Sequence, residues 1–157
     1  MPNSVIVKIV LARKRQVVLS LIVLFCIGAT VAVVLMRHGY SRVTAQIGTH
    51  AYRLEVADTM STRELGLGNR PSLPTDQGML FSFSHESVQC FWMKDMQFPL
   101  DIIWLDRGKR VVHIAHDVTP ASYPRNYCPS NPAQYVIELN AGQASRATVQ
   151  KGQALTF

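Results

Sequence analysis

The stretch Val17 to Met36, VVLSLIVLFCIGATVAVVLM, runs for 20 residues without a charge. As an α-helix it spans about 30 Å, the thickness of a bilayer's hydrocarbon core. A helix of a small globular domain has no use for an apolar surface on every side. The run therefore predicts a transmembrane helix over 17–36. Arg13, Lys14 and Arg15 abut its start, and only Arg37 and Arg42 follow closely. That asymmetry predicts a cytoplasmic tail over 1–16, with residues 38–157 outside the cytoplasmic membrane, in a periplasm or at the cell exterior. The alternative is a cleaved signal peptide. Its apolar core is normally about 7–15 residues, shorter than this one. A small-residue site exists at Val43-Thr44-Ala45, but Arg37 and Arg42 lie between it and the apolar run. An uncleaved, single-span anchor is expected, with the membrane as its partner.

The anchor also locates the charge. Residues 1–37 hold five of the 16 basic residues and no acid, which is +5 of the formal net charge of +6. The remaining 11 bases and 10 acids fall in 38–157, a net of +1. A phosphate-binding face needs clustered positive charge. No nucleic-acid partner is expected.

Cys26 lies in the apolar run, whereas Cys90 and Cys128 share the exported part. An oxidising compartment permits a Cys90–Cys128 disulfide. The alternative is two buried, unpaired thiols. Cys90 sits among apolar residues, which argues against a nucleophile.

Residues 37–50 read as a polar connector and 51–157 as a globular domain. Ala51 to Ala57 alternates, with Tyr52, Leu54 and Val56 against Arg53 and Glu55, as a half-buried strand does. Asp58 or Thr59 can cap a short helix, with Ser61 and Glu64 spaced as a capping box. Gly66 and Gly68 end it. Further strands are expected at Met79–Phe83, Phe91–Met93, Leu100–Leu105, Arg110–Val118, Tyr135–Leu139 and Ala154–Phe157. Asp106-Arg107-Gly108-Lys109 is a hairpin turn, and Ala141–Gln150 a short helix. The segment TPASYPRNYCPSNP, Thr119 to Pro132, holds four of eight prolines and reads as a stiff loop. The expected fold class is α+β, mostly β: a compact, small barrel-like mixed sheet with one or two short helices, behind one transmembrane helix.

Two carboxylates stand out. Asp101 interrupts Phe98-Pro99-Leu100 and Ile102-Ile103-Trp104-Leu105, and Glu138 sits within Tyr135-Val136-Ile137-Glu138-Leu139. A carboxylate in an apolar strand costs several kcal/mol if buried without a partner. Each therefore faces solvent, pairs with a group such as Lys94, Arg70 or a backbone amide, or serves a ligand. Two such groups also form the minimal acid–base pair of a hydrolase. Lys94 and Asp101 flank one proline turn, where they face a ligand or each other. Among soft ligands, Met93 and Met96 have a Met-x-x-Met spacing that suits Cu(I), but methionine beside tryptophan is ordinary core filling. His113 and His116, three apart on a strand, point to opposite faces. With no phosphate loop or nucleophile elbow, no cofactor and no metal is expected. Tyr123, Arg125, Asn126 and Tyr127 make the proline-rich loop a recognition candidate.

Four blocks in this order carry a likeness: Arg63-Glu64-Leu65-Gly66-Leu67-Gly68-Asn69-Arg70; Gly78-Met79-Leu80-Phe81; Phe91-Trp92-Met93-Lys94 with Pro99-Leu100-Asp101; and Tyr135-Val136-Ile137-Glu138 with Ala141-Gly142. From about Tyr52 to Phe157 the chain resembles the bacterial and archaeal family known as domain of unknown function 192. The resemblance implies a compact, mainly-β domain, often behind a signal or anchor, with no established activity. The chain departs from the family pattern at Gly68, Asp95 and Met96, where methionine, asparagine and threonine are usual. An aspartate at 95 keeps the acceptor and removes the amide donor. The expected function is non-catalytic binding of a small polar or cell-envelope glycan ligand. Arg70, Lys94, Asp101 and Glu138 would line or brace a polar cleft, with Trp92 as its apolar wall. The alternatives are a hydrolase using Asp101 and Glu138, and a structural partner in an envelope complex.

Overall fold

The structure, a computed structural model, describes residues 40–157. The expected cytoplasmic tail and the anchor over 17–36 lie outside the described residues. Among those described, no helix is long and apolar enough to cross a membrane.

Six strands form one sheet: β1 Ser41–Ile47, β2 His50–Ala57, β3 Gln77–Ser87, β4 Leu100–Leu105, β5 Val111–Val118 and β6 Ala133–Asn140. Two short helices accompany them, α1 Met60–Leu65 and α2 Gln143–Arg146. The order across the sheet is β1-β2-β3-β6-β4-β5. β2 and β3 are parallel, joined through α1, and every other pair is antiparallel. The class is α+β and mostly β, as expected. The barrel is not: β1 pairs only with β2 and β5 only with β4, so the sheet is not closed.

The core lies on both faces of the sheet. One cluster gathers Leu54, Ile103, Leu105, Ile137 and Leu139 under α2. The other gathers Met79, Phe81, Ile102, Trp104 and Val136 under the segments that carry Leu67, Leu73 and Met93. β4 is buried at every position, which is why LDIIWL reads as a continuous apolar run rather than an alternation. At Gly78 an added Cβ would come within 2.5 Å of the Glu138 carbonyl oxygen, so glycine lets β3 approach β6 closely.

Several local expectations are corrected. The span 41–47, read as connector, is the edge strand β1, with only Ala45 and Ile47 buried. Its polar, exposed positions hid the alternation. Phe91–Met93 is not a strand: Phe91 makes one isolated bridge, to Tyr127. α1 is capped by Thr59, one of the two expected caps, but its capping box is closed by Thr62 rather than by Ser61 and Glu64. Thr62 N donates to Thr59 Oγ1 at 3.2 Å and Thr59 N to Thr62 Oγ1 at 3.0 Å. The helix expected over 141–150 is shorter, and the tail makes two isolated bridges, Ala154 with Arg110 and Thr156 with Gln46, rather than a strand. Cys90 and Cys128 form a disulfide.

Candidate functional site

Glu138 lies on β6, opposite Met79 of β3 and Ile102 of β4. It is 5% exposed. Burial in the middle of the sheet pushes its carboxyl up to about 8, against a smaller opposite pull from the Arg70 guanidinium. The side chain is thus mostly protonated at neutral pH. No described residue gives it a hydrogen bond. It lines an open cavity of about 350 Å³ on the face that also carries Phe81 and Phe83.

One wall of that cavity is the end of α1 and the loop after it. Gly66, at φ +52°, turns the chain out of the helix with its N–H donating to Thr62 O at 3.0 Å. Arg63 fastens this wall to the sheet. Its Nη1 donates to Asp58 O at 2.5 Å and to Ser82 O at 2.8 Å, and its guanidinium lies over the Phe83 ring at 5.1 Å. Asn69 follows at φ +62°, its N–H donating to Asp95 O at 2.8 Å. Asp95 is itself left-handed, at φ +57°. Asparagine and aspartate both tolerate that conformation, so Asn69 and Asp95 suit these two turns.

The other wall is Gln89 to Trp92. The Trp104 indole N–H donates to Gln89 O at 2.7 Å, which holds this segment on β4. Phe91 and Tyr127 exchange backbone hydrogen bonds of 2.9 and 2.7 Å, and the disulfide ties the neighbouring Cys90 to the proline-rich loop. Met93 is buried, whereas Trp92 is 51% exposed at the cavity's rim. Trp92 meets Tyr123 edge to face at 5.9 Å, and the Lys94 ammonium lies 6.0 Å from the Trp92 ring centre.

Of the five residues expected in a site, Trp92, Lys94 and Glu138 line this cavity. Arg70 stands behind it, donating to Glu55 Oε2 at 2.6 Å, and reaches Glu138 only through its charge. Asp101 is elsewhere. It pairs with Leu139 across the ladder while Glu138 pairs with Ile102, so the two carboxylates point to opposite faces of the sheet. Asp101 Oδ1 accepts from Asp117 N at 2.9 Å, across a bulge in β5, and Oδ2 from Ala144 N at 2.8 Å in the first turn of α2. It braces three elements and faces neither Lys94 nor a cleft. The acid–base pair of Asp101 and Glu138 is thereby corrected. Asn69, Arg63 and Asp95 were missed as lining residues. For Arg63 and Asn69 the signal was present in the block Arg63 to Arg70, which reads as a helix stop when taken alone, and Asp95 directly follows the block Phe91 to Lys94. Among the described residues, no three His, Cys, Asp or Glu side chains converge to hold a metal ion.

The fold and the cavity define a small, mostly-β domain with one acid-floored cleft beside a helix-to-loop turn. The chain belongs to the DUF192 family, described as uncharacterized ACR, whose model matches residues 42–157. No curated protein matches it. Two solved structures are similar. One is a protein of Sinorhizobium meliloti 1021 described as a proposed transcription regulator, at 31% identity and TM-score 0.71, covering 74% of this chain and 94% of that one. The other is a protein of unknown function from Novosphingobium aromaticivorans DSM 12444, at 30% identity and TM-score 0.72, covering 76% of this chain and 88% of that one.

Proposed function

We propose that this chain is a membrane-anchored, extracytoplasmic binding protein that takes a small polar ligand in the cleft above Glu138, without chemistry on it. The observation that carries the reading is Glu138 itself: a carboxyl buried in the central strand, lining an open cavity, with no hydrogen-bond partner among the described residues. Its carboxyl borders the open cavity, so a ligand there can donate to it or accept from it in place of water.

Two observations support export and anchoring. The uncharged run over 17–36 has the length of a membrane span, and a disulfide suits an oxidising compartment. The site Val43-Thr44-Ala45 falls inside β1, paired along its length with β2, so cleavage there would cut a folded strand. The hydrolase alternative loses its second carboxylate to the opposite face of the sheet. The regulator description of the Sinorhizobium neighbour finds no support in the near-balanced charge of 40–157, with 11 bases against 10 acids.

The test is a thermal-shift screen of the full chain in a mild detergent against polar metabolites and envelope fragments. A stabilising ligand is expected, with its shift abolished in Glu138→Ala and retained in Lys109→Ala, remote from the cleft. A shift that survives Glu138→Ala would place binding elsewhere and sink the reading.

A further inference from the structure

We infer, building on the cleft proposed above, that its ligand is an uncharged saccharide, held with a ring face on Trp92 and a hydroxyl on Glu138. Three features of the cavity select this class.

The first is the balance of charge around the floor. Lys94 and Arg63 line the cavity together with Glu64 and Asp95. A cationic ligand meets the two bases and an anionic one the two acids, so either sign brings repulsion with its attraction. Arg63 is also partly committed, because its Nη1 is divided between two backbone carbonyls. Arg70, the other nearby guanidinium, is engaged by Glu55. A neutral ligand avoids repulsion of either kind.

The second is the floor group. A protonated carboxyl donates one hydrogen bond and accepts others, whereas an ionised one only accepts. A hydroxyl does both, so it satisfies Glu138 in either state. The third is Trp92. An indole half exposed beside a polar cleft, backed by Tyr123 at 5.9 Å, offers an apolar face next to hydrogen-bonding groups. A pyranose ring, with C–H groups on its faces and hydroxyls around its edge, matches that pairing. The cavity, about 350 Å³, is at the small end of ligand pockets and suits a mono- or disaccharide unit. A peptide is disfavoured. Strand addition needs an open sheet edge, and β6 is already paired on both sides, by β3 and β4.

The two tryptophans supply the readout, since Trp92 is 51% exposed and Trp104 fully buried. Acrylamide quenching of tryptophan fluorescence therefore reports Trp92. The full chain would be solubilised in a detergent without a sugar headgroup. It is titrated with N-acetylglucosamine, its dimer and longer oligomers, cellobiose, a blocked neutral dipeptide, aspartate and lysine. At least one saccharide is expected to lower the quenching constant twofold or more. Trp92→Ala and Glu138→Ala should each weaken its binding at least tenfold, measured for both variants by calorimetry. Oligomers binding better than the monomer would identify a glycan chain, and the reverse a free sugar. Binding of the dipeptide or a charged probe, dependent on Glu138, with every saccharide inert, overturns the saccharide and leaves the cleft standing. No Glu138-dependent binding of any probe overturns both. Saccharide binding unchanged in both variants places the sugar elsewhere and also overturns the inference.

Discussion

Glu138 makes the stability of this domain depend on pH in an unusual direction. Its carboxyl is raised from an ordinary value of 4.5 to about 8 on folding, so the folded state holds the proton more tightly than the unfolded one. The contribution is complete below about pH 4.5 and is lost as pH rises through 8. The slope is about 1.4 kcal/mol per pH unit, or roughly 4–5 kcal/mol across the interval. Urea unfolding between pH 5 and 9 should show Glu138's share as a decline that Glu138→Gln flattens. An unchanged slope in that variant would mean the group is not buried as described. Asp101 plays a different part, since both of its oxygens already accept hydrogen bonds from backbone amides. Asp101→Ala leaves the Asp117 and Ala144 amides without their acceptor, one of them buried, and should cost about 3 kcal/mol or more. Chemical denaturation measures it, and a loss below 1 kcal/mol would refute the brace. Both carboxylates were legible in the sequence as charges in apolar strands. Their faces were not, because strand register decides which side each one takes and no local pattern carries it.

The elements with apolar runs and clear turns, β4, β5 and β6, appear where the sequence placed them, and β2 keeps its alternation. The failures share a cause: the missing information is non-local. Phe91 pairs with Tyr127, far along the chain, rather than folding back on β4. β1 is an edge strand, with one polar face in water, and so resembles a linker. The cleft's long wall is one of these non-local pieces, joined to the proline-rich loop by a disulfide that spans 38 residues. A loop of that length gives about 4 kcal/mol of stabilisation in the chain-entropy account. Replacing both cysteines with serine should lower the unfolding free energy by that order, read by guanidinium titration. The replacement should also increase quenching of Trp92 by acrylamide. Stability unchanged by the double substitution would show that the loop is held without the bond.

At the scale of the molecule, the proposed anchor makes one demand. The full chain should remain in the membrane pellet after an alkaline carbonate wash, and a soluble product beginning near Gln46 would refute the span. The open sheet makes another demand, because β1 and β5 each present a row of unpaired backbone groups to water. Such edges are templates for pairing with other chains. The last residues touch both: Thr156 bridges Gln46 next to the end of β1, and Ala154 bridges Arg110 just before β5. Lys109 holds the tail there, with its Nζ on Phe157 O at 2.5 Å and over the Phe157 ring at 4.1 Å. The tail thus covers part of each edge at one end of the sheet. Removing residues 154–157 should uncover these edges and increase aggregation with rising concentration, as light scattering would report, while leaving the residues that line the Glu138 cleft in place.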